Sequence, residues 1–317
     1  MIEVRNITKR FAGFTAVDNI SFTVNRSEIA GFLGPNGAGK TTTMRILSCF
    51  FPPSTGSAVV AGYDVVKDSM EVRKRIGYMP ENVPVYPEMR VKEYLLYRAA
   101  LKKVPRSQRK ARLDYVLERC GIASVERKVI GHLSKGFRQR VGLADAMIHN
   151  PEILILDEPT IGLDPNQIIQ IRSLIKDIGK EHTVLLSTHI LPEVEAVCNR
   201  VIIINGGKIA ASGTPDKLIG FVSEGLRIKT EIRGEHDAVL GMLKSLPYVT
   251  GVTTLKKDSL NSFLVICEDD KDVRETISQK CAEQRWPIKE LRCDALTLED
   301  IFVKITADKT DEIGACK

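Results

Sequence analysis

Short apolar runs alternate with turn residues at the beginning of the chain, over about the first 65 of its 317 residues. Four of these runs predict β-strands, because apolar and polar positions alternate within them: IEVRNI, ISFTV, EIAGFLG and SAVVAG. Residues 40–50, KTTTMRILSCF, predict a helix that begins directly after a glycine-rich loop. From about residue 88 to residue 150 apolar positions recur every three or four residues, which predicts helices.

Strongly apolar runs return at 152–157, 183–188 and 200–205, with helical patterns between them. Runs of this kind predict strands that are buried on both faces. Alternation of such strands with helices favours a parallel sheet covered by helices on both sides. We therefore expect an α/β domain over residues 1–220, with a helical subdomain at about 88–150.

After Gly220 the pattern changes to the order β-α-β-β-α-β, which predicts a small α+β module of ferredoxin-like type over residues 221–307. A short helix, TLEDIFVKIT, closes this predicted module. The last residues, 308–317, are expected to form a frayed tail. Regulation, support of a dimer and plain stability are all compatible with such a module.

The composition is that of an ordinary globular protein, with 43% hydrophobic and 27% charged residues. A formal net charge of +6 fits either attraction to an acidic membrane surface or nucleic acid, or a solvated surface with additional lysines. The seven cysteines include no CxxC pair and the five histidines no HExxH motif, so a metal site made of protein ligands alone has little support. Free thiols in a reducing compartment are the simplest expectation.

The chain begins with MIEVRNITKRF, which lacks the apolar core of a signal peptide. No apolar run approaches the roughly 18 residues needed to cross a bilayer. Any membrane role is therefore expected to act from the cytosolic side, through a partner protein.

A phosphate-binding loop is the clearest chemical signal. GPNGAGKT at 34–41 matches GxxxxGK[ST], follows an apolar strand and precedes a helix, as a P-loop requires. Glycines allow consecutive N–H groups to face a triphosphate, the lysine adds a mobile cation, and the threonine hydroxyl is suited to Mg²⁺. A plain glycine-rich turn is a poor alternative in this context. The predicted nucleotide-binding residues are Gly34, Pro35, Asn36, Gly37, Ala38, Gly39, Lys40, Thr41 and Thr42.

Two further strands end in side chains that suit phosphate chemistry. ILILDEP at 153–159 delivers Asp157, a candidate for holding Mg²⁺, and Glu158, a candidate for polarising the attacking water. His189 follows the next apolar strand and is either a γ-phosphate contact or a structural histidine. Phe11, in TKRFAGF, is either a ring that stacks on a purine base or a core aromatic. Together with the P-loop, the two carboxylates and His189 predict an ATP-hydrolysing site.

A second helix start that suits an anion lies almost a hundred residues after the P-loop, in LSKGFRQR at 133–140. The ordered set of P-loop, LSKGF, ILILDEP, GLD at 162–164 and His189 resembles the nucleotide-binding subunit of ATP-binding cassette (ABC) transporters. The resemblance covers residues 1–220. It implies a P-loop NTPase cassette with an antiparallel β subdomain and a helical subdomain, and with Mg²⁺ and ATP as cofactors.

This resemblance also explains the second helix start. Two cassettes of the family pack head to tail, so the signature segment of one subunit closes over the ATP that the other holds. The implied contacts from the opposite protomer are Ser134, Lys135, Gly136 and Phe137, and Asp164 helps to couple the two sites. Because the chain has one cassette, a homodimer is expected.

Three residues depart from the family pattern. Lys135 and Phe137 replace the third and fifth residues of the usual LSGGQ signature, and Phe137 removes one polar contact. Glu81 stands where the family has a glutamine that touches Mg²⁺ and senses the membrane partner. A carboxylate still ligates a hard cation, but it donates no hydrogen bond. We therefore expect nucleotide binding to persist and coupling to be altered.

YMPENVPVYPEMRVKEYL, LSKGFRQRVGLADAMIHNP and TLEDIFVKIT resemble a bacterial exporter branch, which includes subunits of gliding-motility, sodium-efflux and multidrug systems. That branch has a separately encoded permease. The leading hypothesis is accordingly an ATPase at the inner face of the cell membrane that drives a permease in export, without a nucleic-acid partner. The alternatives are a soluble ABC-type ATPase that acts on the ribosome or DNA, and a nucleotide-gated scaffold without hydrolysis.

Overall fold

In the computed structural model the chain forms two compact units, Met1–Pro215 and Asp216–Lys317. The structure describes residues 1–215, 217–218, 226–256, 261–268, 271–293, 299 and 302. Within these residues no helix combines the length and the apolar character that a membrane crossing requires.

An antiparallel sheet of four strands forms one layer of the first unit. Its strands, in the spatial order β2-β1-β4-β5, are β1 (Ile2–Phe11), β2 (Phe14–Val24), β4 (Thr55–Val60) and β5 (Tyr63–Asp64). Alternate residues of β2 are buried, as expected for a strand with one face on the core. The buried side chains of this sheet belong to the same core as those of the central sheet and of a helix at Lys40–Leu47, so this core fixes the layer against both.

The central sheet has six strands in the order β10-β9-β3-β8-β7-β6. The strands are β3 (Ile29–Leu33), β6 (Ile76–Met79), β7 (Ile153–Asp157), β8 (Thr183–Thr188), β9 (Arg200–Asn205) and β10 (Lys208–Gly213). All neighbours are parallel except β9 and β10. Strands β3, β7 and β8 are buried along their whole length, which explains why apolar residues predominate in their sequences.

The parallel register brings three strand ends together. Asp157 pairs with Ser187, and Leu33 pairs with Thr188. Because all three strands run in the same direction, the segments that follow them leave the sheet at one edge. That edge is where ligands bind in open α/β sheets.

Seven α-helices lie wholly within Met1–Pro215 beside these two sheets. They are α1 (Lys40–Leu47), α2 (Ser69–Arg75), α3 (Val91–Leu101), α4 (Arg109–Arg119), α5 (Lys135–Met147), α6 (Pro165–Ile178) and α7 (Leu191–Val197). Helix α1 is shorter than the predicted 40–50, because Cys49 has a positive φ of 59° that ends the helical backbone. Helices α3, α4 and α5 pack on one another and form the predicted helical subdomain.

A buried ion cluster joins α3 to α5. The carboxylate of Asp145 accepts a hydrogen bond from Arg98 Nε at 2.9 Å and lies 3.1 Å from Lys102 Nζ. Burial alone would raise the pKa of Asp145, but the charges of Lys102 and Arg98 outweigh this effect and hold the pKa below its ordinary value. Removing one partner of such a cluster costs about 3–5 kcal/mol, so these residues fix how the subdomain packs.

The second unit has the predicted order of elements. It contains β11 (Arg227–Ile232), α8 (His236–Lys244), β12 (Val249–Lys256), β13 (Asn261–Cys267), α9 (Arg274–Glu283) and β14 (Ile288–Cys293). Its sheet is antiparallel with the order β12-β13-β11-β14, the ferredoxin-like arrangement. It has its own core, which includes Ile228, Phe263 and Ile277. The predicted closing helix and tail lie outside the described residues, apart from residues 299 and 302.

Candidate nucleotide site

The predicted phosphate loop connects the end of β3 to the beginning of α1. Gly37 and Gly39 have positive φ angles of 79° and 104°, which side-chain-bearing residues rarely adopt. A Cβ atom on Gly39 would lie 2.6 Å from the carbonyl oxygen of Ala16, so the loop also approaches the antiparallel sheet too closely for a side chain there. The glycines therefore let the loop turn tightly and direct its backbone towards the start of α1.

This loop borders a cavity of about 370 Å³. Most of its lining was predicted from the sequence: Asn36, Gly37, Gly39, Lys40, Thr41, Thr42, Glu81 and Glu158. Three other lining residues, Phe14, Ala16 and Ile161, were not predicted. Gly34, Pro35 and Ala38 belong to the same loop without lining the cavity.

Lys40 is held at the base of the loop. Its Nζ donates to the carbonyl oxygens of Gly34 at 2.8 Å and Pro35 at 3.2 Å. The same atom lies 3.3 Å from Glu158 Oε1, and both side chains are only 6% exposed. The structure thus brings the predicted cation and the predicted catalytic carboxylate into a buried ion pair at the cavity, although 118 positions separate Lys40 from Glu158 in the sequence.

Asp157 meets the first turn of α1. Thr41 Oγ1 donates to Asp157 Oδ1 at 3.2 Å, and Ser187 Oγ donates to the same oxygen. The other carboxylate oxygen, Oδ2, is buried and has no hydrogen-bond partner. An unpartnered carboxylate oxygen beside a hydroxyl fits a hydrated Mg²⁺ ion, since Mg²⁺ retains water and takes few protein ligands. The described residues contain no cluster of three His, Cys, Asp or Glu side chains that would hold a metal by themselves.

Glu158 and His189 leave neighbouring strands and meet at the edge of the sheet. His189 Nδ1 lies 2.9 Å from Glu158 Oε2. The backbone of Glu158 has a positive φ of 49°, and its N–H donates to Ser187 O at 3.1 Å and to Ser187 Oγ at 3.2 Å. Ser187 therefore fixes Asp157 through its carboxylate and Glu158 through its backbone.

The two phenylalanines at the turn between β1 and β2 differ in position. Phe14 lines the cavity and is 59% exposed. Phe11, the predicted base-stacking residue, packs edge-on against Phe51 at 5.7 Å between ring centroids, under the ammonium of Lys9. Phe11 is not among the residues that line the cavity. The role predicted for Phe11 stays a prediction.

The signature segment lies at the start of α5 and outside the lining of the cavity. Ser134 caps this helix by accepting a hydrogen bond from Phe137 N at 3.4 Å. Gly136 is buried, whereas Ser134 and Lys135 are exposed. Within one chain, the structure therefore does not bring the two predicted phosphate-binding helix starts together.

Asp164 begins α6, just after the GLD sequence. Its Oδ1 accepts from Gln167 N at 2.9 Å, which makes it the N-cap of that helix. The side chain is exposed, so it is accessible to another chain. Asp164 therefore has a capping function in addition to the coupling function that the resemblance implies.

Glu81 stands between two cavities. It lines the nucleotide cavity and also a second cavity of about 220 Å³. Lys135 and Arg138 of α5 also line the second cavity. Two of the departures from the family pattern, Glu81 and Lys135, thus face the same space with opposite charges.

Comparison with known proteins identifies the family. The family model described as ABC transporter matches residues 17–161. The linearmycin resistance ATP-binding protein of Bacillus subtilis is 30% identical over 307 residues, covering 96% of this chain and 98% of its relative. The daunorubicin resistance ATP-binding protein of Streptomyces coeruleorubidus is 33% identical over 308 residues, covering 97% and 96% respectively.

Solved structures agree in fold. The ATP-binding subunit of an ABC transporter has a TM-score of 0.64 at 28% identity, covering 70% of this chain and 92% of the other. A cassette solved as a dimer with ADP and Pi, in a post-hydrolysis state, has a TM-score of 0.62 at 24% identity, covering 68% and 98%. The predicted α/β P-loop NTPase cassette is confirmed, and the relatives give no support to the ribosome or DNA alternative. The chain belongs to the ABC transporter family, as one of its ATP-binding and ATP-hydrolysing subunits.

Proposed function

We propose that this chain hydrolyses Mg²⁺-ATP at sites shared between two copies of itself and that the cycle drives a membrane permease. The observation that carries the proposal is the buried pair of Lys40 and Glu158 at one cavity, 3.3 Å apart, with His189 in contact with Glu158 at 2.9 Å. A triphosphate would compete with Glu158 for the ammonium of Lys40. Binding would then release the Glu158 carboxylate towards water.

In the proposed hydrolysis of ATP, the residues at or just after the ends of β3, β7 and β8 have separate roles. Backbone N–H groups of the P-loop and Lys40 hold the phosphates, and Glu158 accepts the proton of the attacking water. His189 orients Glu158 through the contact at Nδ1. Thr41 and Asp157 would hold Mg²⁺, which neutralises phosphate charge when it is bound. An aromatic ring from the β1–β2 turn stacks on the base, with Phe11 and Phe14 as the two candidates.

The second half of each site comes from the other copy. Ser134 and Lys135 are exposed at the start of α5, where free N–H groups favour an anion. We infer that the Ser134–Phe137 segment of one protomer contacts the terminal phosphate held by its partner, and that Asp164 couples the two sites. The dimeric neighbour with ADP and Pi supports this assembly.

The transport partner is proposed from the relatives. The chain matches two drug-resistance ATP-binding proteins over nearly its whole length, which favours export of a toxic compound by a separately encoded permease. Such an ATPase would work at the inner face of the cell membrane. Glu81 lines both the nucleotide cavity and the second cavity. It is therefore the residue best placed to transmit the presence of nucleotide in the first cavity to a partner protein bound at the second.

The variant Glu158→Gln tests the mechanism. Without the carboxylate, ATP should bind without hydrolysis, and the closed dimer should persist. We expect light scattering to give twice the monomer mass with ATP and Mg²⁺, and phosphate release to fall at least about a hundredfold, as for loss of a general base.

Glu118→Gln, the same substitution at an exposed position of α4, is the matched control and should behave as wild type. A Glu158→Gln protein that remains monomeric at high concentration with ATP would contradict the shared site. Wild-type protein that binds ATP and releases no phosphate would instead favour the nucleotide-gated scaffold.

A further inference from the structure

A buried carboxylate outside the cavity lining connects to both catalytic segments. Glu193 is 1% exposed and lies in the first turn of α7. Its Oε2 accepts a hydrogen bond from Thr188 Oγ1 at 2.7 Å, and its Oε1 accepts one from Thr160 Oγ1. Arg172 Nη2 lies 3.7 Å from Oε1 and supplies the compensating positive charge.

These contacts join segments that carry the reacting groups. Thr188 immediately precedes His189, and Thr160 is the second residue after Glu158. The two oxygens of one carboxylate therefore fix the segment of Glu158 and the segment of His189 relative to each other. The distance of 2.9 Å between Glu158 Oε2 and His189 Nδ1 depends on that relative position.

The hydrogen-bond directions in this cluster are determined by its composition. The hydroxyls of Thr160 and Thr188 both donate to the carboxylate oxygens of Glu193, which accept. Thr188 Oγ1 in addition accepts from Ile190 N at 3.0 Å. Thr188 and Thr160 are 0% and 2% exposed, so water does not compete for these bonds. The cluster has one satisfied arrangement, which makes it a rigid support.

Stabilisation of α7 alone does not account for this cluster. An acidic residue in the first turn of a helix stabilises that helix by interacting with the positive end of its dipole, and this effect needs no contact with other elements. Here Thr160 lies in the segment after β7, and Arg172 lies on α6, the helix that Asp164 caps. The carboxylate thus links three elements, and one of them begins at the residue proposed to couple the two protomers.

We propose that Glu193 is a positioning residue: it holds Glu158 and His189 at reacting distance and transmits the position of α6 to them through Arg172. The proposal rests on the proposed roles of Glu158 and His189. Lys40 and Thr41 are not part of the cluster, so ATP binding should be independent of it. Loss of Glu193 should therefore affect the hydrolytic step and leave the affinity for ATP unchanged.

The test is steady-state ATP turnover by the full-length chain. Because a displacement of reacting groups by about 1 Å can lower a rate about a hundredfold, Glu193→Gln is expected to lower kcat at least tenfold with an unchanged KM. Glu195→Gln, the same change at an exposed position of the same helix, should keep wild-type kcat. In a His189→Ala background, Glu193→Gln should lower kcat little further, since both substitutions disrupt the same contact between Glu158 and His189.

Thr160 provides a second test should Glu193→Gln fail to fold. Thr160→Ser keeps the hydroxyl and should retain turnover, whereas Thr160→Val keeps the shape and should lose it. Wild-type kcat in a folded Glu193→Gln protein, losses that multiply fully with His189→Ala, or equal turnover of the two Thr160 variants would each overturn the proposal. Failure of the proposed function is distinguishable, because wild-type turnover would then be insensitive to Glu158→Gln.

Discussion

At the scale of single residues, Gly37 and Gly39 share a left-handed backbone but differ in their surroundings. A Cβ atom on Gly37 would meet nothing within 4 Å, whereas one on Gly39 would lie 2.6 Å from Ala16 O. Gly37→Ala should therefore cost only backbone strain, about 1–2 kcal/mol. Gly39→Ala should cost more, because backbone must also move, and it should displace the loop from the start of α1.

Thermal unfolding and ATP titration of the two alanine variants check this. Gly37→Ala is expected to have the higher Tm of the pair and the smaller loss of ATP affinity. Equal losses of stability would show that the contact with Ala16 is relieved without cost.

The same residues show what the sequence could predict. The P-loop, Asp157 and Glu158 were predictable because each belongs to a short contiguous motif that directly follows or ends an apolar strand. The position of Phe14, the three hydrogen bonds that Ser187 makes with Asp157 and Glu158, and the Glu193 cluster were not, since they depend on how β7 pairs with β8 and on side-chain rotamers. A clue existed for Glu193, an acidic residue four positions after His189, but that spacing is common and names no partner.

At the scale of elements, the junction between α5 and β6 contains a histidine that is sensitive to acid. His149 Nε2 contacts Ile76 O at 2.8 Å, and burial, reinforced by the charge of Lys102, lowers the pKa of His149 from 6.5 to about 4. The unfolded chain therefore binds the proton more readily than the folded chain between these values. Stability contributed by neutral His149 is present above pH 6.5 and is lost as the pH falls towards 4.

Between pH 7.5 and pH 5 this loss amounts to about 2 kcal/mol, or a fall in Tm of about 4–8 °C for a unit of this size. The variant His149→Gln keeps an N–H donor for Ile76 and removes the titration, so its Tm should fall less over the same range. Calorimetric scans at the two pH values provide the measurement, with His132→Gln at an exposed position as the control. The same fall in all three proteins would assign the acid sensitivity to other groups.

At the scale of the whole molecule, the two units have separate cores, and every residue that lines the nucleotide cavity belongs to the first. A fragment of residues 1–215 should therefore fold and bind ATP with the affinity of the full chain. Circular dichroism and calorimetric titration in the Glu158→Gln background would check this. A fragment that is unfolded, or that binds ATP more weakly, would show that the second unit supports the site.

The pairing of β7 with β8 restricts how this protein can diverge. Adjacent residues of a strand point to opposite faces, so losing one residue from Ile153–Asp157 would exchange inward and outward positions and retract both carboxylates from the edge. Aliphatic side chains can replace one another within these strands at modest cost, because total volume is what the interior requires. Related sequences should thus vary in which aliphatic residue occupies each position, whereas we expect no insertion or deletion between Ile153 and Glu158 in any member that still hydrolyses ATP.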